Sequence, residues 1–485
     1  MNISFLHINF GRLCYTCALF IFIFGTFACK KLVEVPLPIT DVTKPRAFNS
    51  DGNAIAAVTG LYQVMQSIFT GNNSITVYTG LSADELHLSP SITTADSKSY
   101  VYTNSLLISA SGPSSGFNFW TTIYSYIYNC NSALSGLSDA TNLTPTVRQQ
   151  LTGEILFLRA FFYYYLLNLY GDVPLVLGTE YKVNATLPRS PTSQVWQKIA
   201  ADLDSARTLL NPQYPDASLT GISSERVRPT QGAALAMLAR LYLYMGNWQL
   251  AEQQSSLLIN NSTLYHLEAL QNVFLKNSTE AIWQLQPIAV GWNTEDARVF
   301  IIPATGLDSY MNTVYLNDRL LDSFEPIDQR RQEWIDSITV NGITYHYPYK
   351  YKSAIYGDPV SEYQMILRLG EQYLIRAEAR AMQGNLAAAR ADLNVIRNRA
   401  GLPDTNANTQ SKLLNAILQE RRAELFTELG QRWADLKRTG KIDEVMKIET
   451  PLKANGAPWR SFQQVYPLPL DDILTNPNLS QNIGY

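Results

Sequence analysis

The chain is short of charge: Asp, Glu, Lys and Arg together make up 16% of its 485 residues, the formal net charge is -3, and Lys and Arg nowhere gather into a block. A groove that follows a phosphate backbone needs clustered cations, so nucleic acid is excluded as a partner. Histidine is scarcer still, with four residues, of which His7 lies in an N-terminal leader and His87, His266 and His346 are scattered. Neither HExxH nor paired CxxC spacing follows the leader, and no EF-hand loop is present, so no metal and no cofactor is expected. Of four cysteines, Cys14 and Cys17 sit inside the leader, leaving Cys29 and Cys130. With Cys29 acylated, Cys130 has no partner, and the fold must be held by its core alone.

Apolar residues are plentiful at 46%, enough for a large core, and aromatics reach 11% with 28 Tyr and 8 Trp. That exceeds what a core of this size requires, so part of the aromatic content is expected on a surface. The leader has one cation, Arg12, then an apolar run from Leu13 to Phe24 that at about a dozen residues is too short for a membrane span. Thr26-Phe27-Ala28-Cys29 resembles a lipobox, which marks residues 1–28 as a signal peptide and Cys29 as the lipidation site. Residues 29–49, with Pro36, Pro38 and Pro45, suit an extended tether.

Two stretches of the body share one spacing. Leu235, Ala239, Gly246, Trp248 and Ala251 repeat as Tyr373, Ala377, Gly384, Leu386 and Ala389, with Gly-Asn at both turns. This is the pattern of a tetratricopeptide hairpin, in which alanines let helices approach and glycine ends the first helix. Further helices are read after a capping Asp51 (Ile55, Val58, Leu61, Tyr62, Met65, Phe69), from Trp120 to Leu134, from Arg148 to Tyr170, from Ser190 to Leu210, and as one charged helix from Lys412 to Lys437. Gly71 to Gly116 shows no helical period. From Ala281 to Ala354 the pattern alternates, in IWQLQPIA, VFIIPA and ITVNGITYHYPYKY, with a hairpin signal at Asn341-Gly342. The organisation is therefore 1–28 signal peptide, 29–49 tether, 50–270 N-terminal helical region, and 271–485 C-terminal region with a loop insertion at 281–355.

Six ordered blocks resemble the SusD/RagB family of outer-membrane nutrient-binding lipoproteins: Leu158 to Val176, Ala234 to Trp248, Tyr373 to Asn385, Asp392 to Leu402, Glu420 to Gly440 and Tyr466 to Tyr485. The resemblance implies a mainly all-α fold, a right-handed α/α superhelix with four tetratricopeptide-like helix pairs plus an irregular loop-rich region with short β-hairpins. It also implies a lipoprotein on the outer face of the outer membrane that captures a glycan, or in some relatives a peptide. The cargo passes to a SusC-like TonB-dependent barrel without bond breaking.

A sugar site needs exposed aromatic planes with polar groups at the edge. Trp292, in GWNTED, fits this description, with Asn293, Glu295 and Asp296 as its rim; a loop tryptophan packed on its own domain is the alternative. The resemblance places Asp84, and Tyr100 or Tyr102, in the ligand surface; Asp84 could instead pair within the fold. Tyr310, after the Gly306 turn, is a further candidate, and Trp283 in IWQLQ is read as core. The i,i+4 spacing of Glu428 and Arg432, with Glu420, Glu424, Arg421 and Arg422, reads as helix-surface ion pairs rather than catalytic carboxylates. Gly112-Pro113-Ser114-Ser115-Gly116 matches a hydrolase elbow in letters, but the helices downstream contradict the strand-helix order that elbow requires. A peptide binder, a helical-repeat interaction scaffold and a serine hydrolase acting through Ser114 are the remaining alternatives.

Overall fold

Both Gly-Asn turns do what their spacing implies. The computed structural model describes residues 47–107 and 119–485, and in it the helices Gln231–Tyr244 and Trp248–Ile259 form one hairpin, Leu369–Met382 and Leu386–Arg399 the other. Gly246 and Gly384 take left-handed φ of 71° and 82°, which glycine adopts without steric cost. The asparagine that follows each caps the next helix, Asn247 accepting from the Leu250 amide at 3.2 Å and Asn385 from that of Ala388 at 3.4 Å. Ala239, Ala251, Ile375 and Ala379 form a shared buried cluster with Leu243, so the two hairpins stack on each other. The Gln410–Leu425 helix closes the second hairpin through Leu413 and Ile417. Residues Phe48–Tyr485 make one compact unit.

The Pro145–Tyr170 helix is buried nearly all round, which is why LRAFFYYYLLNLY shows no clean apolar stripe. It packs between the Phe119–Asp139 and Thr192–Leu209 helices. Trp283 meets Tyr62, Phe157 and Phe161 edge-on at 6.2, 5.1 and 5.6 Å and is fully buried, a core residue as read.

Among the described residues six short strands pair into three two-stranded antiparallel sheets. β1 (Leu86–Leu88) pairs with β3 (Val314–Leu316), β2 (Ala281–Leu285) with β6 (Gln364–Arg368), and β4 (Ile335–Val340) with β5 (Ile343–Pro348). The last is the Asn341-Gly342 hairpin, both turn residues at positive φ. β6 runs directly into the Leu369–Met382 helix and so ties the loop-rich region to the repeats.

Several expectations are overturned. The region after Gly71 contains the helix Ile75–Ser82, buried at every position and hence without a period, and a short helix Ser97–Tyr102. VFIIPA is not a strand, since Val299 and Phe300 end the helix Glu295–Phe300. Ser50, not Asp51, caps the first helix, Asp51–Phe69, while Asp51 accepts from the Thr144 amide and hydroxyl. The charged helix breaks into Gln410–Leu425 and Gln431–Arg438, because Thr427, Leu429 and Gly430 all take left-handed φ. A side chain at Gly430 would come within 2.7 Å of Thr79 Oγ1, so the break is also a point of close approach.

On both sides of that break the charges expected on a helix surface are buried or nearly so. Glu424 is fully buried and bonded by Arg330 at 2.9 Å, Arg368 at 2.6 Å and Arg399. Glu280 takes Arg368 and Arg399, Glu420 takes Arg330, and Glu428 takes Arg368 and Lys350. Arg432 turns away from Glu428 to Asp84. Burial pushes the Glu424 carboxyl up, but Arg399, Arg368 and Arg330 outweigh it and hold it well below the usual carboxylate range. These carboxylates remain structural, as a buried lattice instead of surface pairs.

Candidate functional site

β1 and β3 are only three residues each, yet their register sets His87 opposite Tyr315. Neighbouring bonds extend the pairing, Ser89 donating to the Thr313 carbonyl at 2.8 Å and Asn317 to that of Glu85 at 2.9 Å. On this platform the rings of Tyr102, His87, Tyr315 and Tyr345 follow one another at centroid separations of 6.2, 5.1 and 5.2 Å, and all four are half-buried. Tyr102 is joined to His87 Nδ1 through its hydroxyl at 2.9 Å. Burial first, then Lys453, lowers the His87 pKa, so the ring is neutral at pH 7 and stacks as an uncharged aromatic. Adjacent rings are turned 39° to 79° from each other, so the row is bent and presents edges as well as faces.

Two of the four residues expected from sequence lie on segments that also carry or adjoin this row. Tyr100 lies on the Ser97–Tyr102 helix, half-buried, and Tyr310 is 81% exposed in the turn before β3. The Gly71 to Ser74 turn links them: Asn72 donates to the Tyr310 carbonyl and accepts from Thr313, while Asn73 accepts from Lys98 at 3.3 Å.

Asp84 is placed differently. It is 2% exposed, just before β1, with its oxygens taken by Arg432 at 2.7 and 2.9 Å and Arg422 at 2.6 Å. Burial raises its pKa, but Arg432 and Arg422 prevail and hold it below the usual range. It ties β1 to the C-terminal helices by paired, charge-assisted bonds.

Trp292 is half-buried and forms a separate pair with Tyr356, 5.4 Å between centroids. The Arg298 guanidinium, held by Glu295 at 2.7 and 2.9 Å, covers one face of the indole at 4.3 Å. The expected rim is spent internally. Asn293, 1% exposed, bonds Ser353, Pro359, Ser361 and Glu362, fastening its own loop to the 353–362 segment. Asp296, also buried, accepts from the Gly71 amide at 3.0 Å and Gln364 at 2.7 Å, and burial pushes its pKa up to about 7.

Sequence reasoning passed over His87, Tyr315 and Tyr345 as a group. Strands of three residues give no readable alternation, and their pairing spans more than two hundred positions. The one local signal is the alternation of Tyr345, Tyr347 and Tyr349, which puts them on one side of a strand. Cys29 and Gly112 to Gly116 lie outside the described residues. Within those residues every sheet is two-stranded and antiparallel, unlike the wound sheet on which a hydrolase elbow sits.

Residues 49–243 match a family model described as "Starch-binding associating with outer membrane", and residues 330–485 match the SusD family model. A SusD-like protein of Formosa agariphila is 24% identical over an alignment covering 96% of this chain and 98% of the relative. The starch-binding protein SusD of Bacteroides thetaiotaomicron is 36% identical, over 25% of this chain and 21% of its own length. Among solved structures, a SusD superfamily protein of Bacteroides vulgatus superposes with a TM-score of 0.75 at 22% identity, covering 90% of this chain and 99% of that one. A laminarin-binding SusD-like protein gives 0.73 at 23% identity, covering 89% and 99%. With both halves of the body matched, and the stacked helix pairs shared with those structures, the chain belongs to the SusD/RagB family.

Proposed function

We propose that this protein is a non-catalytic, cell-surface lipoprotein that captures an oligo- or polysaccharide on the Tyr102, His87, Tyr315 and Tyr345 row and delivers it to a SusC-like TonB-dependent transporter. The row is the observation that carries the reading: four half-buried rings that follow one another across the β1–β3 pair. The C–H faces of a sugar pack on such rings while its hydroxyls reach polar groups at the edge. Tyr100 and Tyr310 are its proposed flanks, and Trp292 a secondary contact through its uncovered face. Asp84 contributes by holding β1 in place. Relatives that bind laminarin or starch support a glycan as the ligand class.

Affinity should be modest, on the order of micromolar to millimolar, because each stacking contact is worth only about 1 kcal/mol. Native affinity electrophoresis of the full-length protein against plant, fungal and host polysaccharides tests the reading. Retardation by at least one polymer is expected, with a loss of about fivefold in affinity for Tyr315→Ala at unchanged folding stability. If no polysaccharide retards the protein and peptides do, the glycan reading is wrong and the peptide reading replaces it. Acylation at Cys29 is proposed with it: Cys29→Ser should release the protein from the membrane fraction.

A further inference from the structure

Below the aromatic row, where β1 and β3 begin and end, lies an open cleft of about 700 Å³. Asp84, which precedes β1, and Arg319, which follows β3, both line it, as do Arg422 and Arg432. The two guanidinium groups of Arg422 and Arg432 share a single carboxylate, that of Asp84. Arg432 spends Nε and one terminal nitrogen on it, whereas Arg422 spends only Nη2. The Nε of Arg422 is buried and, among the described residues, has no acceptor, and Nη1 of each arginine makes no hydrogen bond to a described residue. Burial lowers the Arg422 pKa, with Asp84, Glu85 and Glu449 opposing that shift and Arg432 adding to it. Arg319, with a side chain 47% exposed, uses only Nε, on Glu449 at 3.2 Å. Two further carboxylates share the lining: Glu444 is engaged by Lys441 at 2.9 Å, and Asp322 has no cation partner among the described residues. The cleft is thus close to neutral in sum, but its wall offers guanidinium donors without acceptors.

Guanidinium donors accept nothing and pair best with a planar anion that takes two parallel bonds. We propose that the cleft is a carboxylate subsite and that the captured glycan is acidic, its uronic acid carboxylate resting on Arg422, Arg432 and Arg319 while neighbouring sugar rings lie on the aromatic row. The inference rests on the glycan reading, and adds the charge of the ligand to it. Because the subsite begins where the strands bearing His87 and Tyr315 end, one chain of sugars can engage both.

Calorimetric titration of the full-length protein with oligouronates, with the same oligomers after reduction of their carboxyl groups, and with neutral glucans tests it. Oligouronates should bind at least about tenfold more tightly than their reduced forms, and should weaken steeply in high salt. Arg422 and Arg432 also hold Asp84, so their loss can unfold the protein; Arg319→Glu is the informative variant. It should lower oligouronate affinity about tenfold and leave the reduced form unaffected, whereas Tyr315→Ala should weaken both. Equal binding of native and reduced oligomers, or oligouronate binding untouched by Arg319→Glu, overturns the carboxylate subsite and leaves the glycan reading standing. Absence of binding to every glycan, acidic or neutral, overturns both.

Discussion

Two regions of this molecule are rich in side chains that usually serve function, and they use them in opposite ways. In the lattice around Glu424, carboxylates and guanidinium groups are buried, and each charge finds several partners. Along the Tyr102, His87, Tyr315 and Tyr345 row, aromatic rings remain half-buried and meet one another at an angle, with the Lys453 ammonium 5.1 Å from the centre of the Tyr102 ring. Charges that have all found partners therefore mark the frame, and the proposed site lies where aromatic rings stay partly open. A carboxylate such as Asp84, plausible by position, turns out to belong to the frame because its bonds are already made.

Breaking the frame should cost far more than altering the face. Glu424→Ala leaves Arg330, Arg368 and Arg399 facing one another in a buried space, and should destabilise the fold by about 3–5 kcal/mol or prevent its recovery. Urea denaturation of whatever soluble protein is obtained measures this. A loss under about 1 kcal/mol would mean that the lattice is solvated and does not act as a frame.

The next effect concerns the buried joint between the two. Asp296 joins the Gly71 turn, under the aromatic face, to Gln364 of β6. Its pKa rises from about 3.9 unfolded to about 7 folded because of burial, so the folded state favours the protonated acid. The stability this gives is complete below about pH 4 and lost as pH rises through about 7. Asp296→Asn removes that loss. Between pH 5 and 8 the variant should gain on the native protein progressively, by on the order of 2 kcal/mol, read as a growing difference in urea midpoint. A pH-independent difference would show that Asp296 is ionised throughout.

How much of this was legible follows the same division. The hairpins at Gly246 and Gly384 could be read to the residue, because glycine, asparagine and alanine each perform a local task there. Trp283 was legible as core through the alternation around it, and the Asn341-Gly342 hairpin through its turn. The break at Thr427 to Gly430 was not, since Thr427 and Leu429 adopt left-handed φ under tertiary constraint, against their own preference. The rim at Asn293 and Asp296 was misread because a polar residue in a polar loop looks the same whether it meets water or a second loop some sixty residues away. The aromatic row was assembled only by the fold, from four segments that carry one ring each.

The smallest predicted effect decides which aromatic pair is the principal platform. Trp292 was the best candidate by its loop, but Arg298 covers one indole face and Tyr356 meets it from another direction. Only the remaining surface can receive a sugar, so Trp292→Ala should weaken glycan binding by about twofold to threefold, roughly 0.5 kcal/mol. Tyr315→Ala, in the middle of the row, should cost more. If titration instead shows the larger loss for Trp292→Ala, Arg298 swings away when the ligand arrives, and the principal platform is the Trp292 and Tyr356 lobe. Arg298→Ala separates the cases: it should tighten binding if the guanidinium competes with the ligand for the indole, and leave it unchanged if the row does the binding.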